Sequence, residues 1–101
     1  MLFRSDEARK LITRALELTP DDAAVIDSIG WIDYRQGKVK EALALLQKAF
    51  DKAHDPEIAA HLGEVLWVLG EKGQARAVWE NALAKDPDHR VLKETMERLA
   101  R

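Results

Sequence analysis

The sequence contains no cysteine, which removes disulfides and thiolate metal sites from consideration. The redox compartment stays open, because packed helices need neither. Long apolar runs are also missing: no unbroken stretch exceeds residues 65–69, far short of the roughly 20 residues that a membrane-spanning helix requires. Neither sign of charge is in surplus. Sixteen Lys and Arg stand against 18 Asp and Glu with no basic stripe, and since affinity for phosphate needs clustered positive charge, no nucleic-acid partner is expected. Residues 1–5 lack the apolar core of a secretion signal, so none is expected in the chain as given. There is no glycine-rich phosphate loop and no Ser, His and Asp arrangement for nucleophilic attack. Neither an enzymatic activity nor a cofactor is expected.

What the chain does contain is a repeat. Gly30 recurs as Gly63, Ala42 as Ala75 and Ala49 as Ala82, each pair 33 residues apart. Ala8 and Ala15 precede Ala42 and Ala49 by 34 residues, so a partial third copy stands at the N-terminus. A period near 34 marks a stacked helical solenoid. Apolar residues spaced by three and four through Ala8, Leu11, Ile12, Ala15 and Leu16 predict an amphipathic helix that Thr19-Pro20 ends. The next helix starts near Asp22, carries Ile26, Ile29 and Gly30 inward, and stops at Gln36-Gly37. A third, about residues 39–53, is expected to bury Ala42, Leu45, Leu46, Ala49 and Phe50. Asp55 can cap a fourth, with Pro56 in its first turn, running to residue 69 before Gly70. A fifth covers about residues 72–85, and a last one about residues 88–100. Six short antiparallel helices result, with 101 residues leaving room for a single domain. Glycine and alanine remove bulk where two helices approach, and Leu46, Phe50, Trp79 and Leu83 fill the spaces between.

Laid out, Ile26-x-x-Ile29-Gly30 with Tyr34, Gly37 and Glu41-Ala42 matches Ala59-x-x-Leu62-Gly63 with Trp67, Gly70 and Gln74-Ala75. This pattern resembles the tetratricopeptide repeat (TPR) family over nearly the whole chain, with Pro20 and Pro87 where the family's repeat usually ends. Two departures stand out: Asp33 occupies a place usually held by a large residue, suggesting polarity near the groove, and His54 replaces a proline. The resemblance implies an all-α fold, a right-handed α-α superhelix. Residues 1–22 would be the second half of a repeat, 23–55 and 56–89 two full repeats, and 90–101 a capping helix. Val91, Leu92, Met96 and Leu99 would face the last repeat, while Arg90, Lys93, Glu94, Glu97, Arg98 and Arg101 face water. His54 and His89 read as turn residues. The chain is similar to the C-terminal repeats of a bacterial TPR protein. Residues 56–65 resemble repeats of envelope lipoproteins, which would imply a periplasmic parent.

The same resemblance implies a concave binding strip on the first helix of each pair. Its positions are Ala24, Asp27, Trp31, Tyr34 and Arg35, then Glu57, Ala60, His61, Glu64, Trp67 and Val68. Asp27, Trp31, Tyr34, Arg35, Glu57, His61, Glu64 and Trp67 are the expected contacts for a protein or peptide partner, since aromatic residues and arginine anchor binding hot spots. Packing of Tyr34 and Trp67 on neighbouring first helices is the competing expectation. The lysine and asparagine clamp with which some relatives hold a terminal carboxylate is absent, its places being taken by Asp27, Trp31 and His61, with Val91 and Thr95 on the last helix. Acid at Asp27, Glu57 and Glu64 favours a basic or apolar segment instead. The function expected is a non-catalytic scaffold binding a peptide or protein segment in its groove. The alternative is a structural segment of a larger assembly, or a module that self-associates as a homodimer through its open N-terminal edge with Leu2, Phe3 and Leu11. A third reading places a metal at Glu57, His61 and Glu64. No converging motif on another helix supports it, and a solvated helix face accounts for the spacing.

Overall fold

Asp22 opens the first helix of the main repeats because its side chain accepts a hydrogen bond from the Val25 amide at 3.1 Å, satisfying a donor that a helix start leaves unpaired. The computed structural model describes residues 10, 11, 14 and 21–100. Its helices are α1 (Ala23–Arg35), α2 (Val39–Lys52), α3 (Pro56–Val68), α4 (Lys72–Lys85) and α5 (Arg90–Leu99). No strand occurs among the described residues, so the architecture is all-α. Positions 10, 11 and 14 are helical and exposed. The other N-terminal positions expected to form an open edge, Leu2 and Phe3 among them, lie outside the described residues. The chain divides into two units, Met1–Ala53 and His54–Arg101.

Both α1 and α3 end in the same way. The Gly37 amide donates to the Tyr34 carbonyl and the Lys38 amide to the Asp33 carbonyl. One repeat on, Gly70 donates to Trp67 and Glu71 to Leu66. These paired bonds require a left-handed residue just past the helix, and Gly37 (φ +86°) and Gly70 (φ +90°) supply it. The turn leads directly into α2 and α4, neither of which has a side-chain cap. The α3 start is better secured: the Asp55 carboxylate accepts from the amides of Glu57 (2.8 Å) and Ile58 (3.4 Å), with Pro56 in the first turn where no amide is needed. His89, expected as a turn residue, caps α5, its Nδ1 accepting from the Leu92 amide at 3.4 Å. That helix therefore begins at Arg90, just past the Asp86-Pro87-Asp88 turn.

In the first unit, Ile26, Ile29 and Gly30 of α1 meet Ala42, Leu46 and Ala49 of α2, all buried. A Cβ at Gly30 would lie 3.0 Å from Leu46 Cγ, so the missing side chain sets how closely the two helices approach. Leu45 and Phe50, expected in the core, are only half-buried. Asp33, expected to lend polarity to the groove, is 1% exposed. The reason is helical phase: it follows Ile26, Ile29 and Gly30 along one face. No buried side-chain nitrogen or oxygen among the described residues lacks a hydrogen-bond partner.

In the second unit the helix buried most completely is α3, with Ile58, Ala59, Ala60, Leu62, Gly63, Val65 and Leu66 all inside. Gly63 faces Trp79 of α4 so closely that a Cβ there would fall 2.0 Å from the indole nitrogen. That nitrogen donates to the Ala60 carbonyl at 3.4 Å, which gives the buried ring a partner for its one polar group. The third helix of this unit, α5, lies mainly on α3 and buries Leu92 and Thr95.

Candidate functional site

Spacings of three, four and seven place Asp27, Trp31 and Tyr34 along one face of α1. The Trp31 and Tyr34 rings lie 4.9 Å apart, tilted by 33°, and both are half-buried, as is Asp27. Arg35, at the end of the helix, is exposed. Within the first unit the structure thus groups three of the four expected contacts, as an aromatic pair beside a carboxylate.

The corresponding strip on α3 is assembled differently. Glu57 is exposed, His61 half-buried and Ala60 fully buried. Glu64, expected as an open acid on a solvated face, is buried, with only 9% of its side chain exposed. Its carboxylate is gripped by a fork from α5: Arg98 Nη2 approaches one oxygen at 2.5 Å and Nη1 the other at 3.5 Å. Two-point guanidinium contacts of this kind are among the stronger hydrogen bonds available to a carboxylate. Glu64 therefore does not add to an uncompensated acidic field, and Arg98, expected simply to face water, is directed at a partner. Among the described residues no three His, Asp or Glu side chains converge as metal ligands do.

Trp67 turns toward α4. Its ring stacks on Trp79 with centroids 5.7 Å apart, and Lys72 Nζ and Arg76 Cζ stand 4.9 Å and 5.2 Å from its centroid. Cations at that range over an indole are attracted to the negative face of the ring. The direction follows from sequence phase, because Trp67 comes four residues after Gly63 and shares the face that meets Trp79. Its neighbours are on the second helix of its own hairpin. Val68 beside it is 52% exposed.

Lys72, Arg76 and Arg98 are the residues of this region that the sequence did not single out. For Arg98 a signal existed: it lies 34 residues after Glu64, about one repeat length. Lys72 and Arg76 are spaced as successive turns of one helix face, but nothing in the sequence says that an indole lies beneath them.

Two hairpins in one 33-residue register, each closed by the same glycine turn, define a helical-repeat protein. A family model described as Tetratricopeptide repeat matches residues 33–99, and the chain belongs to that family. It is 54% identical over 61 residues to TPR repeat-containing protein PA4667 of Pseudomonas aeruginosa, a match covering 60% of this chain and 10% of that protein. It is 32% identical over 104 residues to Protein O-mannosyl-transferase TMTC1 of Homo sapiens, covering 95% of this chain and 12% of that protein. The mouse protein of the same name gives 32% over 103 residues. The chain spans about a tenth of the length of each of these relatives. Repeats of this family generally mediate contacts between proteins. No helix among the described residues is long and apolar enough to cross a membrane.

Proposed function

We propose that this chain is a non-catalytic scaffold whose first helices, α1 and α3, hold a protein or peptide segment in a concave groove. The observation that carries this reading is the Trp31 and Tyr34 pair, half-exposed on α1 with Asp27 one turn before it. Large, stiff aromatic surfaces of this kind supply contact area at low entropic cost and anchor many interfaces. Asp27 and the exposed Glu57 favour a segment with basic or apolar side chains. On α3 the proposed contacts are His61 and the part of Trp67 left open by its stacking on Trp79.

The test is a peptide selected from a random displayed library on the intact chain, then titrated against variants. Trp31→Ala should weaken it by about tenfold or more, as loss of an aromatic anchor does. Unchanged affinity in both Trp31→Ala and Asp27→Ala would remove the strip from consideration. Leu11, 73% exposed, favours a second reading in which the N-terminal edge makes the contact, with a larger assembly or with a second copy of the chain. There Leu11→Glu, and not Trp31→Ala, should alter the sedimentation of the chain.

A further inference from the structure

Glu64 lies on α3 seven residues after Glu57 and three after His61, on the same strip. At the matching register of the first unit stands Trp31, which is only half-buried. What covers Glu64 is α5, through Arg98. The helix that delivers this guanidinium is short and packs mainly on α3, with Val91, Met96 and Leu99 half-buried. It has ten residues, of which only Leu92 and Thr95 are buried. On its α4 side Leu83, Lys93, Met96, Glu97 and Ala100 line an open trough. Arg98 itself is 57% exposed at the side chain, while the Glu64 side chain it covers is 9% exposed, so a competing guanidinium reaches that carboxylate only where Arg98 gives way.

We propose that Glu64 is a guanidinium-binding site occupied internally by Arg98, and that α5 is a displaceable latch over the α3 strip whose competitor is a partner segment bearing an arginine. The proposal rests on the reading of that strip as a binding surface and gives its ligand a chemistry. A partner then binds with an apparent affinity lowered by the fraction of molecules in which α5 is closed, and whatever weakens the latch strengthens the partner. Removing Arg98 takes the two-point guanidinium contact away from a buried carboxylate, and a second guanidinium can restore it.

The probe is a labelled synthetic peptide with the sequence of residues 88–101, titrated by fluorescence anisotropy into the full chain. Arg98→Ala in the chain should bind it about tenfold more tightly than wild type, through the larger open fraction. Replacing the arginine of the peptide at position 98 by alanine should abolish the gain, and so should adding Glu64→Gln to the chain. Equal binding to wild type and Arg98→Ala, or a gain indifferent to the peptide's arginine, overturns the latch. A second measurement needs no variant: in the wild-type chain, α5 amides should exchange with deuterium about tenfold faster than those of central α3, as a locally opening segment does. Protection of α5 equal to that of α3 also overturns it. Because the probe addresses α3 and α5, its failure leaves the Trp31 titration standing, and loss of the Trp31 effect leaves the peptide result standing.

Discussion

The hairpin of α1 and α2 and the hairpin of α3 and α4 keep one register yet fill it with different side chains. At the point of closest approach the first opposes Gly30 to Leu46, and the second opposes Gly63 to Trp79. A leucine can shift by a few tenths of an ångström, whereas an indole laid flat on a helix and hydrogen-bonded to Ala60 cannot. The same glycine is therefore a convenience in one hairpin and a requirement in the other. Closer packing around a rigid ring accompanies a more fully buried first helix in the second unit, while the first places a carboxylate, Asp33, where the second has Leu66.

The largest expected effect follows from this contrast. Gly63→Ala puts a methyl 2.0 Å from the Trp79 nitrogen, so the indole must leave its place and give up its hydrogen bond. Overpacking of this severity costs about 3 kcal/mol or more, which for a domain of this size lowers Tm by roughly 12 °C or more. Circular dichroism melting reads it directly. A shift of a few degrees would mean that Trp79 has room to move, and the contrast between the hairpins would lose its basis.

A double substitution sharpens the same point. If the cost lies in the indole, Trp79→Leu converts this contact to the kind seen at Leu46 and should make Gly63→Ala cheaper. The coupling expected between touching residues is about 1–2 kcal/mol, measured as the difference between the effect of Gly63→Ala alone and its effect in the leucine background. Simple additivity of the two changes would move the cause away from their contact.

Where the hairpins are alike, their responses should match. Gly37 and Gly70 both hold φ near +90° with nothing within 4 Å of a would-be Cβ, so substitution meets backbone strain and no neighbour. Gly37→Ala and Gly70→Ala should each cost about 1 kcal/mol, equal to within about 0.5 kcal/mol. Unequal values in urea unfolding would show that the two turns are not the same device.

Much of this framework is legible in the sequence because it depends on local chemistry. Gly37, Gly70 and the Asp55-Pro56 pair mark helix ends through φ preference and capping, which need no knowledge of the partner helix. The small residues at 30, 63, 42 and 75 announce close approach in the same way. What escapes is the identity of the group that faces a given side chain. Asp33 reads as groove polarity if its type is weighed, but its phase with Ile26 and Ile29 sends it into the core. Glu64 and Arg98 belong to helices separated by all of α4, and periodicity gives each a face without giving either a partner. Trp67 has the position of a groove residue, yet its place four residues after Gly63 turns its ring onto Trp79. Side-chain type suggested the strip, and three-dimensional neighbours determine which of its members are open.

The smallest effect is the most discriminating. Gly30→Ala adds a methyl 3.0 Å from Leu46 Cγ and 3.2 Å from Leu45 Cβ, a contact tighter than ordinary packing but against a flexible side chain at one of its two points. The strain of moving Leu46 is opposed by a gain of about 1 kcal/mol in helix propensity when alanine replaces glycine inside α1. With the two terms of similar size, the net change should fall within about 0.5 kcal/mol of zero by urea unfolding, against the large loss expected for the same substitution one repeat later. A loss above about 2 kcal/mol, of the size that overpacking a tight core produces, would show that Leu46 is as fixed as Trp79. The two hairpins would then differ in the side chain that fills the contact and not in how much room it leaves.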